Sequence, residues 1–455
     1  MSRVGMDGVY KISIEHVPSP VLNEVRWCLD FPKNEEAASL ADLDSDGLRF
    51  QGWVLSKNNK PVEPFIRCGG NTTYFERNVR RADVIKRVLS TEPEGHEQLV
   101  CGFRFNFRLS QATAVFGVRH GGEEYALALI GIAGTLKVLE GKDGWLFLDN
   151  DTNRSVEQFK GEYLLDGKGL ADWRSYLNAF ATVAVRERMQ HAVLIAPSKE
   201  MVLAEAYPYI KGAVTPLEQV LAVAQPEHRL VYPVDVLRQS AERTFRICDT
   251  HWTSHGAMLA TIEVLVRLGL QTEEITAMFA RDRYVEREQV GDLGNKVYPP
   301  RSAKERVLRG YSYRQVKRYD NDLPNFGRTM ILANPKALVS ARCMIFGSSS
   351  SYLMLDYFSR VFSELVFVHT AGNIDMNLLQ RERPDYVLAQ TNGRFVVRAP
   401  VADYDLSAVI ADKVGMMSPE LRQQLVANSE QWLSKTDDER VAFYHRMLTD
   451  TVCAA

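Results

Sequence analysis

From about residue 9 to 130 the chain alternates apolar and polar residues with a period of two. In Val100-Cys101-Gly102-Phe103-Arg104-Phe105-Asn106-Phe107-Arg108-Leu109, the phenylalanines and Leu109 fall on one face while Arg104, Asn106 and Arg108 fall on the other. Successive side chains of a strand point to opposite sides of a sheet, so the pattern predicts a half-buried antiparallel strand. Comparable runs at Leu48 to Leu55, Pro64 to Cys68, Ala114 to Val118 and Glu124 to Ile130 are divided by turn-forming stretches such as Cys68-Gly69-Gly70-Asn71. Together they predict a small β-sandwich over residues 1–130.

After Gly134 the period changes. Helical spacing over Leu170 to Gln190 leads into the apolar run Ala192 to Ala196, and Pro216 to Ala224 leads into Arg229 to Tyr232. Further apolar runs at Cys343 to Phe346, Leu365 to Val368 and Tyr386 to Leu388 adjoin helical patterns. Unbroken apolar strands alternating with helices are expected where a sheet is covered on both faces. Residues 131–455 are therefore predicted to form an α/β domain, a mostly parallel sheet flanked by helices, with ligands expected beyond the carboxyl ends of its strands. Between Asp282 and Arg328 the periodicity fades. There Arg301 to Arg318 carries seven basic residues and one acidic one around Tyr311 and Tyr313, which reads as a solvated loop or as an anion- or glycan-binding one. Ser418 to Met447 has the pattern of two charged amphipathic helices closing the fold.

Composition narrows the classes. A chain of 455 residues, 45% hydrophobic and 25% charged, has material for two or three packed cores, which excludes disorder and disulfide-stapled miniproteins. Lys and Arg total 55 against 57 acids, a net charge of −2, so neither nucleic acid nor an anionic membrane is expected as a partner. The six cysteines are scattered, with no CxxC pair and no metal-like spacing to the histidines, and predict reduced, packed thiols and no metal. No apolar run approaches the ~20 residues of a membrane span, and Met1 to Val17 lacks a basic patch followed by an apolar core. A cytoplasmic location is expected. Trp27 and Trp53 suit either stacking on sugar rings or packing in the sandwich core.

Two stretches carry chemistry. In Cys248-Asp249-Thr250-His251-Trp252-Thr253-Ser254-His255, extended backbone would put Asp249 and His251 on one face, just before a helix that Ser254 would cap. A carboxylate beside an imidazole fixes its tautomer and stabilises the imidazolium, which is what a general base requires. His255 adds an i, i+4 pair with His251, but no third ligand follows in order, and Trp252 stands where the Glu of an HExxH motif would be. The second stretch is Cys343-Met344-Ile345-Phe346-Gly347-Ser348-Ser349-Ser350-Ser351-Tyr352, a buried strand, a Gly-Ser turn and an amphipathic helix. Such a turn lifts a hydroxyl to the sheet edge, and helix N-terminal amides face a developing oxyanion. Ser349, two residues after Gly347, is the candidate nucleophile. Of nine histidines, His369 at a strand end also suits the same edge, but His251 has its own carboxylate and is the better base.

These segments resemble the SGNH-hydrolase-like domain of the alginate O-acetyltransferase family. The resemblance rests on Gly141-Lys142-Asp143-Gly144-Trp145-Leu146-Phe147-Leu148, Ala196-Pro197-Ser198-Lys199, Asp249-Thr250-His251-Trp252, Gly347-Ser348-Ser349 and Arg383-Pro384-Asp385-Tyr386, in order across about residues 134 to 400. It implies a triad of Asp249, His251 and Ser349, with the amides of Ser349 and Ser350 holding the oxyanion. The turn here reads Gly-Ser-Ser-Ser-Ser where the family has an Asp after Gly and a Phe after the nucleophile, which leaves Ser348 and Ser350 open as nucleophiles. Lys199, Trp252, Tyr352 and Arg314 are candidate substrate-binding residues. The implied function is O-acetylation of a glycan or glycan precursor through an acyl-serine, with no tightly bound cofactor and an acetyl donor required. A carbohydrate acetyl-esterase, and a non-catalytic glycan-binding or scaffold protein with a vestigial triad, are the alternatives. Association with glycan-assembly enzymes and a carbohydrate-binding role for the β-sandwich go with the leading reading.

Overall fold

In a computed structural model describing residues 9–39, 43, 47–134 and 138–454, the chain divides into two units. One comprises Met1–Leu139 with Val290–Ser302, the other Glu140–Gln289 with Ala303–Ala455.

Period-two alternation builds the first unit. Strands β1 (Val9–His16), β3 (Ala37–Ser39), β5 (Val62–Cys68), β6 (Asn71–Tyr74), β8 (Thr113–His120) and β9 (Glu123–Gly134) form a six-stranded sheet in the order β3-β1-β9-β8-β5-β6. Strands β2 (Val25–Phe31), β4 (Leu48–Ser56) and β7 (Gly102–Phe107) form a second, in the order β2-β4-β7. Tyr10, Ile12, Phe116 and Ile130 of one sheet share a core with Phe50, Val54 and Phe103 of the other. The arrangement is a sandwich. Trp53 is buried and packs with Val84 and Ile85, and the Trp27 ring lies 5.0 Å from His16 and 5.7 Å from Phe116, so both tryptophans are engaged in packing. The unit also takes in Val290–Ser302, far along the chain. Tyr298 from that segment is buried, donates its hydroxyl proton to Leu109 O at 3.2 Å and meets Tyr10 edge-on at 5.7 Å.

The second unit is built on a seven-stranded mixed sheet. Its strands are β10 (Gln190–Ala196), β11 (Leu230–Val231), β14 (Lys317–Asp320), β15 (Thr329–Ala333), β16 (Val339–Gly347), β17 (Phe362–His369) and β18 (Tyr386–Asn392), in the order β11-β10-β18-β16-β17-β15-β14. Pairing is parallel from β11 through to β17 and antiparallel for β17/β15 and β15/β14, so the antiparallel edge departs from the mostly parallel sheet expected. Alternate residues of each strand enter different cores. Val193, Ile195, Met344 and Phe346 pack against helix α1 (Gly167–Arg186), whereas Ala192, Leu194, Cys343 and Ile345 pack against α3 (Ser254–Arg267) and α4 (Ser351–Val361). Burial on both faces is why these strands read as unbroken apolar runs. Helices α2 (Pro216–Val223), α5 (Leu406–Gly415), α6 (Pro419–Leu433) and α7 (Glu439–Ala454) complete the first of these layers.

The stretch expected to lack periodicity is structured. Strands β12 (Arg283–Gln289) and β13 (Ala303–Arg309) form an antiparallel hairpin whose register sets Glu286 opposite Arg306, Arg287 opposite Glu305 and Glu288 opposite Lys304. Opposite charges facing across a ladder add to the apolar pairs Tyr284 with Leu308 and Val285 with Val307 of the same register. The basic run is consequently spread over a strand, a short turn and a further strand, with Arg306 paired to Glu242 and Lys317 to Asp320. Among the described residues no disulfide forms, and no helix is long and apolar enough to cross a membrane.

Candidate active site

The carboxyl ends of three neighbouring parallel strands converge. Strand β10 ends at Ala196, directly paired with Asn392 at the end of β18, and β16 ends at Gly347. The turn Ser348–Ser350 then enters α4. A Cβ on Gly347 would sit 2.8 Å from the Phe367 ring and closer still to Ser351 Oγ, so only glycine lets the turn pack here.

The DTHW segment meets this turn from the other side. A bridge between Phe245 and Trp252 pins the segment into a loop, and α3 begins immediately after it. Thr253 caps that helix through Gly256 N at 3.1 Å, in place of the Ser254 expected. Asp249 Oδ1 accepts from the His251 backbone amide at 2.8 Å and from His251 Nδ1 at 2.7 Å. A carboxylate can only accept, so Nδ1 carries the proton and Nε2 is left as acceptor. Ser349 Oγ donates to Nε2 at 2.8 Å. Burial pushes the Asp249 carboxyl up, but the His251 hydrogen bond and charge, with Arg246 at 3.5 Å, outweigh it and hold the group well below the usual carboxylate range.

The other serines face elsewhere. Ser348 Oγ, buried, shares its proton between Gln390 Oε1 at 2.9 Å and Asn392 Oδ1 at 3.1 Å, and Ser350 Oγ donates to Asn392 Oδ1 at 2.9 Å. The Ser350 amide, expected to face an oxyanion, is held by Ser348 Oγ at 3.3 Å. Among the described residues the Ser349 amide has no acceptor, nor does Asn392 Nδ2, whose side chain lines the cleft. Gln390 Nε2 donates to Asn392 Oδ1 at 3.0 Å, which fixes which end of the Asn392 amide is oxygen. Gln390 is fully buried and its Oε1 also takes Ser348 N at 2.8 Å and Ser351 Oγ at 2.7 Å. These two amides were missed in the sequence. The only trace of them is the polar Gln390-Thr391-Asn392 closing an otherwise apolar strand.

Of the four candidate substrate contacts, two border the cleft and hold the catalytic loops. Lys199 is buried and its ammonium donates to Leu146 O at 2.6 Å, Ile247 O at 2.8 Å and Asp249 O at 2.9 Å. An ammonium has three protons, so all are used in tying the DTHW loop to the Trp145–Leu148 segment, and the group has none left for a substrate. Trp252 is buried and donates Nε1 to Ser350 O at 3.0 Å, joining the two catalytic loops. Tyr352 turns away to His369 Nδ1 at 3.0 Å, under the Arg328 guanidinium. Burial pushes the His369 ring down to about 4, and the imidazole that Ser349 Oγ meets is that of His251. Arg314 sits exposed on the turn Tyr313–Val316 and does not line the cleft. His255 Nε2 contacts Ser240 Oγ at 3.0 Å. A cleft lies against His251, Ser350 and Asn392, bordered by Ser198, Glu200 and Arg394.

A mixed α/β sheet carrying an Asp–His–Ser relay at its carboxyl edge is thus the class the fold and geometry define. No protein-family model and no curated protein matches the chain. Among solved structures it is similar to PatB1 of Bacillus cereus, at 14% identity over 60% of this chain and 99% of that one, with a TM-score of 0.45. It is also similar to the O-acetyltransferase domain of Pseudomonas putida AlgJ, at 16% identity over 64% and 98%, with a TM-score of 0.35. A DHHW family protein from Eubacterium siraeum matches at 14% identity over 57% and 94%, with a TM-score of 0.39. All three likenesses are distant in sequence and in shape.

Proposed function

We propose that this protein is an SGNH-hydrolase-like, serine-dependent acyltransferase that O-acetylates a glycan or glycan precursor. The observation that carries the reading is the unbroken relay from Asp249 to His251 Nδ1 at 2.7 Å and from His251 Nε2 to Ser349 Oγ at 2.8 Å. Carbohydrate as the acceptor class follows from the resemblance of the GKDGWLFL, APSK, DTHW and GSS segments. In the mechanism, Ser349 Oγ attacks the carbonyl carbon of an acetyl ester or thioester while His251 takes its proton. The Ser349 amide and Asn392 Nδ2 receive the oxyanion. His251 returns the proton to the leaving alcohol or thiol, then takes one from the incoming sugar hydroxyl, whose oxygen takes the acetyl group as the acyl–Ser349 bond breaks, and His251 gives that proton to Ser349 Oγ. An esterase would run the same first half and end on water. Donor and acceptor bind and leave, and no resident cofactor is required.

The test supplies an acetyl ester and a panel of saccharides to the full chain and follows the sugar by mass spectrometry. Wild type is expected to add acetyl groups, and Ser349→Ala and His251→Ala to lose at least a thousandfold. Acetyl release to water without sugar acetylation would move the assignment to an esterase. Equal inertness of all three, with no fluorophosphonate adduct on Ser349, would remove the catalytic reading.

A further inference from the structure

The cleft beside His251 is lined by two charged side chains that the triad does not use. One is Glu200, in the short helical turn Lys199–Val202, and the other is Arg394, two residues beyond Asn392. Both stand on anchored backbone, since Arg394 O accepts Gln158 Nε2 at 2.9 Å and Lys199, next to Glu200, is tied to three carbonyls. The charge of Arg394 is answered. Asp151 Oδ2, which also accepts Asn153 Nδ2 at 3.1 Å, stands 3.9 Å from Arg394 Nε, and Glu200 feels the pull of the same guanidinium. The hydrogen-bonding capacity of Arg394 is not answered. A guanidinium has five N–H donors, and among the described residues none of them meets an acceptor within hydrogen-bond distance. Glu200 is the converse. Burial pushes its carboxyl up against the pull of Arg394 and Lys199, and of its roughly four acceptor sites the Ser198 hydroxyl and its own backbone amide serve two. The cleft therefore offers spare donors and spare acceptors without an excess of positive charge at Arg394. An anion drawn to Arg394 would meet the carboxylates of Glu200 and Asp151, whereas a sugar hydroxyl both donates and accepts and suits both partners.

We propose that Glu200 and Arg394 form the acceptor subsite and select an uncharged sugar. Ring hydroxyls donate to Glu200 and accept from Arg394, which holds a neighbouring hydroxyl toward His251 Nε2. The proposal rests on the serine acyl-transfer reading and specifies its acceptor. The held hydroxyl gives its proton to His251, its oxygen bonds the acetyl carbon, the acyl–Ser349 bond breaks and the proton passes to Ser349 Oγ. Water can take the same place. The acetyl-enzyme thus divides between sugar and water according to how well the subsite holds the sugar.

The methyl glycosides of glucose, mannose and galactose, each beside its C6 uronate, are offered to the full chain with p-nitrophenyl acetate as donor. Acetylated sugar and enzyme-released acetate are measured in one reaction. Their ratio depends neither on how much of a preparation is folded nor on the rate at which Ser349 is acetylated. In wild type it is expected to be at least tenfold higher for a neutral glycoside than for its uronate, and with that glycoside to fall at least tenfold in Arg394→Met and in Glu200→Ala. Glu200→Gln, which keeps the shape and removes the charge, should narrow the gap between neutral sugar and uronate. A uronate accepted as well as its neutral partner, or an unchanged ratio in either Arg394→Met or Glu200→Ala, overturns the subsite. If none of the six sugars is acetylated while intact-mass analysis finds acetyl on Ser349, the subsite falls and the serine reading survives alone. No transfer and no adduct on Ser349 overturns both.

Discussion

Three adjacent serines of identical chemistry have different positions because each points to a different neighbour. Ser348 is locked to Gln390, Ser350 to Asn392, and Ser349 alone reaches the imidazole. Their shared identity hides this difference in the sequence, since the deciding partners lie 42 residues further on, at the end of β18. Asp249 and His251 were legible because both lie in one short segment whose spacing brings them together locally. Ser350→Ala should retain at least a tenth of wild-type ester turnover, because it removes only one of three donors to Asn392 Oδ1. Asp249→Asn should lower kcat by about ten-thousandfold, because an amide at that place no longer selects the tautomer with Nε2 as acceptor. A loss in Ser350→Ala as large as that in Ser349→Ala would show that the two hydroxyls share one role.

At the scale of elements, the hydrophobic pattern missed the β12/β13 hairpin. Four of its seven facing pairs are charged on both sides, and only Tyr284 with Leu308 and Val285 with Val307 are apolar, so no period stood out. Helix α4 shows the converse, an apolar helix carrying a costly acid. Asp356 accepts the Tyr313 amide at 2.8 Å, and Arg360 one turn on binds Asp282 through two bonds of 2.7 and 2.8 Å. Burial pushes the Asp356 carboxyl up to about 6, against the Tyr313 amide and the Arg360 charge. An unfolded Asp titrates near 4, so between about pH 4 and 6 the folded chain binds the extra proton. This group's contribution to stability therefore falls as pH rises through that window and is flat above it, by on the order of 2 kcal/mol in all. Asp356→Asn keeps an acceptor for Tyr313 N and removes the titration. Denaturation at pH 4.5 and 7.5 should show the variant gaining on wild type at the higher pH, and an equal difference at both would refute the assignment.

At the scale of the whole molecule, chain order and spatial membership part at Val290–Ser302. A boundary near residue 130 follows from where the alternation stops, yet the first unit continues to Leu139 and then recruits this distant segment. Tyr298 brings a buried ring to Tyr10 and a hydroxyl to Leu109. Removing a buried aromatic of this size costs about 3–5 kcal/mol. Tyr298→Ala should therefore raise hydrogen exchange in β1 and β9 while leaving Ala192 to Ala196 of β10 protected. Faster exchange confined to β10 would place the segment with the other unit.

The sequence by itself determined what depends on neighbours along the chain. Period two marked the sandwich strands, unbroken apolar runs marked the covered sheet, and the Asp249–His251 spacing and the Gly347 turn marked the chemistry. Tertiary structure decided what depends on residues far apart in the chain. The antiparallel β15 and β14 edge, the choice of Ser349, the amides of Gln390 and Asn392, and the three carbonyls that occupy Lys199 all arise from how distant segments meet in the fold. Side-chain type states what a group can donate or accept, and only the folded backbone settles which partner stands within about 3 Å.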